Sequence, residues 1–437
     1  MELLTVFLMF IAFMAVSLIF DITMLAPLCA GFVLFTILSL RKGFTLKQVI
    51  AMAKDSLKES FIVVGILLLI GCLTGMWRLS GTVAYFVTLG VSSIPPQVFI
   101  LSAFLLSAIM SYALGTSFGV AATAGVILMS IARTGGVDTV LAAGAVMSGI
   151  YVGDRGSPAA SSANLVAVLT RTDMRKNVRE MLKTSVLPFA LCCVIYALLS
   201  LRAPMKSTDT AVMSMLGEEF KALWYCLIPA VLMIILPFCG LGIKLSMAVS
   251  LVSSVAVAVF VQNESLVSCL KAMVMGYDAK NPQLAEMLSG GGIVSMLEIC
   301  GILMVSCSYG KIFDGTGLLS SVNAGLCRAS ERLGRFPVML LLGMGASALF
   351  CNQTVATIMQ SNLSSELYGD SDKERESKMI DMENSVILEA GFIPWCIACS
   401  VPLTMLGADA RSVPFSFFLW LTPLWWLLRG KTKKPEH

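Results

Sequence analysis

Long apolar runs separated by short polar breaks dominate the chain. A helix that crosses a bilayer needs ~20 mostly apolar residues. Runs of that kind lie at residues 3–20, 24–40, 60–77, 184–201, 222–237, 245–261, 292–310, 336–350, 386–406 and 412–428. Residues 79–132 carry no charge and have room for two or more crossings. Residues 139–170 are apolar but are interrupted by Asp154-Arg155-Gly156-Ser157-Pro158. The pattern predicts an all-α polytopic membrane protein with about 11–13 transmembrane helices.

Basic residues orient this pattern. Residues 41–60 carry Arg41, Lys42, Lys47, Lys54 and Lys58, and residues 171–183 carry Arg171, Arg175, Lys176, Arg179 and Lys183. The tail adds Arg429, Lys431, Lys433 and Lys434. Read as short loops, these stretches belong in the cytoplasm. The chain is therefore expected in the cell (inner) membrane with both termini cytoplasmic. Residues 366–383 are strongly charged and mostly acidic, and read as a solvated loop. Residues 3–20 follow Glu2 rather than a basic stretch, and read as a first span, not a signal peptide.

Composition removes several functions. Of 437 residues, 57% are hydrophobic and 13% charged, which excludes a soluble globular enzyme. A net charge of +4 is too small and dispersed for a nucleic-acid binder. The 13 cysteines lie mostly in apolar runs and read as buried free thiols. The one histidine, His437, ends the chain, so no serine–histidine dyad, histidine metal site or histidine proton relay can form. No phosphate-binding G-x-x-x-x-G-K-[ST] motif is present. No enzyme and no cofactor is expected.

The chain also repeats itself. Gly65…Cys72-x-x-Gly75…Gly81-Thr82 recurs as Gly301…Cys307-x-x-Gly310…Gly315-Thr316. Further on, a step of 235 residues aligns Ala113-Leu114 with Ala348-Leu349, Asp154 with Glu389 and Gly156 with Gly391, with one-residue slips. The first unit starts and ends at a basic stretch, and three crossings separate the units. The second therefore starts on the other side, inverted. Inverted repeats are an architecture of secondary transporters, whose sites form where broken helices meet near the midplane. The expected organisation is a helical hairpin at 1–40, repeat one at 60–170, connecting helices at 184–261, repeat two at 290–410, and a C-terminal helix with a basic tail at 411–437.

Four segments carry candidate chemistry. In Gly115-Thr116-Ser117-Phe118-Gly119, a helix break could offer hydroxyls and carbonyls to a cation or substrate, or the glycines could be a packing face. In Gly153–Asn164, Asp154 and Arg155 sit between uncharged runs, where charged groups persist beside partners or a wet cavity. Glycines and Pro158 break the helix there, and Ser157, Ser161, Ser162 and Asn164 add neutral oxygens, a set that suits Na+. Asn352, Gln353 and Thr354 interrupt an apolar run at residues 336–363 and are read as ligands, the alternative being interhelical hydrogen bonds. Glu389 aligns with Asp154 and is suited to trade a proton for a cation; Glu298 is the other isolated acid within a run.

These residues resemble the NhaC-type sodium/proton antiporter family of the ion transporter superfamily. The resemblance rests on Gly153-Asp154-Arg155-Gly156-Ser157-Pro158 through Asn164-Leu165, on Gly115–Ser117, and on Glu389 with Ile393-Pro394-Trp395, and it spans residues 60–410. It implies a secondary transporter that exchanges Na+ against H+ by alternating access. Ion ligands would be Asp154, Ser157, Ser161, Asn164, Thr116, Ser117, Asn352, Gln353 and Glu389, with Asp154 and Asn164 central for Na+. One departure is Ser161, where many relatives carry an acid. The resemblance then also implies an alternative, coupled exchange of a small carboxylate held by Arg155, Asn352 and Thr354. Expected partners are Na+, H+, a small carboxylate and the lipid bilayer, with a homodimer as one allowed assembly.

Overall fold

The computed structural model describes residues 2–430 apart from 21, 24, 206–209, 222, 280, 282–283, 286–287 and 317–322. The tail lysines Lys431, Lys433 and Lys434, with His437, lie outside the described residues. The described chain is helical, and its one β-type contact is the isolated bridge Tyr277–Gly290.

The first half runs through α1 (Glu2–Ile19), α2 (Leu25–Arg41), α3 (Leu46–Leu79), α4 (Thr82–Ser93), α5 (Phe99–Leu114), α6 (Ser117–Val120), α7 (Val126–Thr134), α8 (Thr139–Gly156), α9 (Ser161–Thr170) and α10 (Met174–Arg202). Then come α11 (Thr210–Glu219), α12 (Ile228–Phe238), α13 (Ile243–Phe260), α14 (Leu266–Met275), α15 (Leu297–Thr316) and α16 (Asn323–Leu333). The last group is α17 (Arg335–Phe350), α18 (Gln353–Leu363), α19 (Asp372–Glu383), α20 (Val386–Glu389), α21 (Ile397–Leu406) and α22 (Phe417–Gly430).

Length and composition alone let three of the described helical stretches cross a membrane: Pro96–Leu114, Ser117–Thr134 and Met174–Arg202. The pair Val64–Leu79 and Thr82–Leu89, bent by 65°, makes a fourth if it is one broken span. Other apolar helices, Arg335–Phe350 and Ile397–Leu406 among them, are shorter than a full crossing. The described chain is thus the expected all-α polytopic membrane fold, with short and broken helices over much of its length.

Most of both basic stretches proves to be the start of a helix, entered after short turns at 42–45 and 171–173. Thr45 caps α3: its hydroxyl accepts from the Gln48 N–H at 3.4 Å, and Gln48 Oε1 accepts from the Thr45 N–H at 2.8 Å. Lys47, Lys54 and Lys58 therefore ride on a 34-residue helix. Asp173 caps α10 in the same way, accepting from the Arg175 and Lys176 N–H groups. Hydropathy hides these turns because a long helix that leaves the membrane becomes polar without ending.

Residues 386–406 are likewise not one helix, and 336–363 are not one run. Helix α17 ends at Cys351, in the left-handed region at φ 53°, and Asn352 is extended before α18 starts. The first half has the same device: α5 ends at left-handed Gly115, φ 65°, and extended Thr116 precedes α6. Residue 99, the start of α5, to residue 335, the start of α17, is a step of 236. The same step takes Gly115 to Cys351, Thr116 to Asn352, the start of α9 to the start of α21, and the left-handed cap Arg171 to Gly407. The structural step of 236 pairs Glu389 with Gly153, so the alignment of Glu389 with Asp154 is corrected by one residue.

The two breaks of each half meet. Gly115 lies so close to Ala159 that an added Cβ would come within 2.4 Å of its carbonyl carbon, and Cys351 O accepts from the Ile397 N–H at 2.8 Å. The described cysteines are free thiols, seven buried and two, Cys29 and Cys239, exposed.

Candidate functional site

Asp154 lies in the last turn of α8, where the helix stops because Ser157 is extended and Pro158 follows. The loop then folds back on itself. Ser157 Oγ accepts from the Ala159 N–H at 3.1 Å, and Ser162 Oγ donates to the Asp154 backbone oxygen at 2.5 Å. Asn164 Nδ2 donates to Pro158 O at 3.0 Å and Ala160 O at 2.7 Å. These bonds replace the helical ladder lost at the break.

Asp154 is 5% exposed. Gln353, at the start of α18 in the other half, reaches it with Nε2 at 3.1 Å and also donates to Ile387 O at 2.9 Å. Ser117 and Ser162 stand near enough to act on it electrostatically, Ser162 giving its proton to the Asp154 backbone oxygen. Three of the four broken segments thus converge on one carboxylate, with neutral groups around it. Beside it opens a cavity of about 260 Å³ lined by Ser161, Ser162, Leu165, Gln353, Thr354 and Thr357. A buried carboxylate with neutral polar neighbours and no cation in contact is a place for a cation or a proton. No cluster of three or more His, Cys, Asp or Glu suited to a resident metal occurs among the described residues.

The adjacent Arg155 turns away from this cavity and is fully buried. Its Nε donates to Glu383 O at 3.2 Å. Its Nη1 donates to Met181 O at 3.1 Å and to Ser185 Oγ. Its Nη2 donates to Thr184 Oγ1 and Asn384 Oδ1, both at 2.6 Å. Guanidinium has five N–H donors, and all five are engaged by protein. The expected anchor for a substrate carboxylate is, in this conformation, a brace tying α8 to α10 and to the α19–α20 joint.

Other expected residues separate in the same way. Thr116 and Asn352 cap the two broken helices: Thr116 Oγ1 accepts from the Gly119 N–H, and Asn352 Oδ1 from the Thr354 and Val355 N–H groups. Asn164 is exposed and spends its amide on the loop. Ser157 shapes the break. Glu389 is buried in a separate place, its Oε2 without a partner, against the backbone of Gly343 and near the Gln360 amide. Glu298 is exposed and accepts from the Thr23 hydroxyl. Asp154, Ser117, Ser161, Ser162, Gln353 and Thr354 are the sequence candidates brought together.

Hydropathy missed Glu383. Residues 372–383 are not a solvated loop but helix α19, capped by Ser371, and its last turn from Met379 to Glu383 is buried. Glu383 is 1% exposed and lies within electrostatic reach of both Arg155 and Asp154. The usable signal was the apolar pair Met379-Ile380 and then Met382, ending the acidic stretch.

Comparison with known proteins gives the family. Residues 149–429 match the model of the Na+/H+ antiporter family. The chain is 25% identical over 417 residues to the Na+/H+ antiporter NhaC of Bacillus subtilis, covering 93% of this chain and 92% of that protein. It is 26% identical over 413 residues to the malate-2H+/Na+-lactate antiporter of the same organism, covering 92% and 87%. It is 24% identical over 411 residues to the arginine/ornithine antiporter ArcD of Halobacterium salinarum, covering 90% and 85%.

Proposed function

The chain belongs to the Na+/H+ antiporter family, and from that premise we propose that it is a secondary antiporter in which Na+ and H+ occupy the Asp154 carboxylate in turn. The observation that carries this reading is the buried Asp154, bonded by the Gln353 amide, with the Ser117 and Ser162 hydroxyls nearby and, among the described residues, no cationic side chain in contact with its carboxylate. With Na+ or with a proton the carboxylate is compensated; ionised and empty it is a bare buried charge, which costs several kcal/mol. A site that crosses only when compensated must exchange one cation for the other. Hydroxyl and amide groups each own a donor and an acceptor. Ser117, Ser162 and Gln353 can therefore hold the carboxylate in one state and turn an oxygen to Na+ in the other. Motion would come from the two inverted halves rocking around the breaks at Gly115 and Cys351. The basic stretches on α3 and α10 favour cytoplasmic termini in the cell membrane.

A second reading is ion-coupled exchange of a small carboxylate. The cavity beside Asp154, about 260 Å³, is large for a bare ion and lined by hydroxyls, and two relatives are named for exchange of organic substrates. Arg155 has no donor left for it, so the countercharge would be Na+ at Asp154.

Protein in vesicles with an internal pH dye and given a Na+ pulse is expected to move protons, and Asp154→Asn is expected to be silent. Proton movement by the variant equal to wild type sinks the reading. Movement that needs a small carboxylate inside selects the second reading.

A further inference from the structure

Glu383 is a buried carboxyl group that the exchange at Asp154 leaves unused. Its Oε2 has no hydrogen-bond partner. Arg155 and Asp154 are the charged groups acting on it, yet every N–H of Arg155 goes to another oxygen, one of them the backbone oxygen of Glu383 itself. Asn384, the next residue, gives its Oδ1 to Arg155 and has an unpartnered Nδ2.

Charges on the elements packed against α19 are committed elsewhere. On α19 itself, Asp381 accepts from the Tyr368 hydroxyl and Trp426 Nε1, each at 2.6 Å, and Lys378 donates to Ser361 O at 2.8 Å. On α10, Lys176 faces Glu376 at 3.8 Å, Lys183 pairs with Glu180, and Arg175 and Arg179 are exposed. Arg335 of α17 pairs with Glu374 at 2.7 Å. Helices α9 and α18 contain no charged residue, and Glu389 of α20 lies against Gly343.

A bare oxygen on a buried carboxylate costs far more than on a buried neutral acid. The arrangement is therefore that of a protonated Glu383. The donors an ionised Glu383 needs stand ready: Arg155, bonded throughout to uncharged oxygens, and the idle Asn384 Nδ2.

We infer that Glu383 is a second proton site of the transport cycle, deprotonating as the idle Asn384 Nδ2 and a single N–H of Arg155, the one now on the Glu383 backbone oxygen, shift to its carboxylate while the other Arg155 bonds hold, so that each Na+ is exchanged for two protons. The step breaks one O–H bond and sends that proton to the aqueous phase, while Arg155 keeps its charge and becomes the counterion. The inference rests on the exchange reading above and deepens it.

The test counts protons released per Na+ bound by the purified full chain in weakly buffered detergent. Wild type is expected to release about two, and Glu383→Gln about one while still binding Na+. A wild-type count of one overturns the inference and leaves exchange standing, as does a count of two in Glu383→Gln. A wild-type count of zero overturns the exchange reading itself. If Glu383→Gln gives no folded protein, Glu383→Asp decides. It must still release about two protons, with one release step displaced in pH relative to wild type; an undisplaced profile overturns the inference.

Discussion

Gly153→Ala abolishes Na+-driven proton movement and lowers the yield of folded protein. A Cβ at Gly153 would lie 2.0 Å from the carbonyl carbon of Ser111, and 2.2 Å from both its oxygen and the Tyr112 nitrogen. All three are backbone atoms of α5, so no rotamer change can relieve them. Gly149, one turn earlier, is pressed on Phe104 O in the same way, at 2.5 Å. The added methyl must push α5 from α8. Overpacking of that kind costs about 1–3 kcal/mol or more. The functional cost is larger, because Asp154 directly follows Gly153 and Ser117 lies three residues beyond the end of α5. The displacement therefore enters the contact between them. Gly156→Ala is the control, since an added Cβ there meets nothing within 4 Å. Thermal melts and flux measured side by side check both; a Gly153→Ala protein as stable and active as wild type would mean that α5 and α8 are not packed this closely.

Arg155→Lys leaves the protein strongly destabilised and inactive at any substrate concentration. Lysine offers three donors from one point, whereas Arg155 serves five acceptors spread over α10 and the α19–α20 joint. At least two of these five hydrogen bonds are lost, and charge-assisted bonds of this kind contribute about 1.5–3 kcal/mol each. Loss of the brace also frees Asn384 and the end of α19 from α8. A substrate anchor behaves differently: Arg155→Lys would then fold normally and raise KM. Melting temperature and KM, measured together, separate a brace from an anchor.

How much of this the sequence discloses depends on what each feature looks like locally. The break after Asp154 is legible because Gly156 and Pro158 stand in an apolar run. The break at Gly115 is legible for the same reason, but its counterpart is not, because Cys351 adopts the left-handed conformation without being glycine. A residue of that kind is held there by its surroundings, in this case by the Ser347 O and Ile397 N–H bonds of its own backbone. The repeat is visible as a step of 235 and becomes 236 once helix ends rather than matching letters are aligned. Ligand types are harder still. Asn352 and Thr116 carry the right oxygens for Na+, but each accepts from backbone N–H groups that the breaks leave unpaired, while Asn164 is held by its amide N–H groups on loop carbonyls. Arg155 at membrane depth reads equally as an anchor or a brace until its acceptors, distant in sequence, are in place. Glu383 hides because nine charged residues in 370–383, itself included, suggest water, while only the last turn of the helix is buried.

The central claim is that Na+ and H+ compete for the Asp154 carboxylate, and Na+ binding measured against pH tests it most directly. Above the titration of that carboxyl group, Na+ affinity is independent of pH. Below it, a proton must leave before Na+ binds, so the apparent affinity falls by about tenfold or more per pH unit. Asp154→Asn is expected to bind no Na+ at any pH. Na+ affinity that ignores pH throughout, or binding retained by Asp154→Asn, would contradict the account.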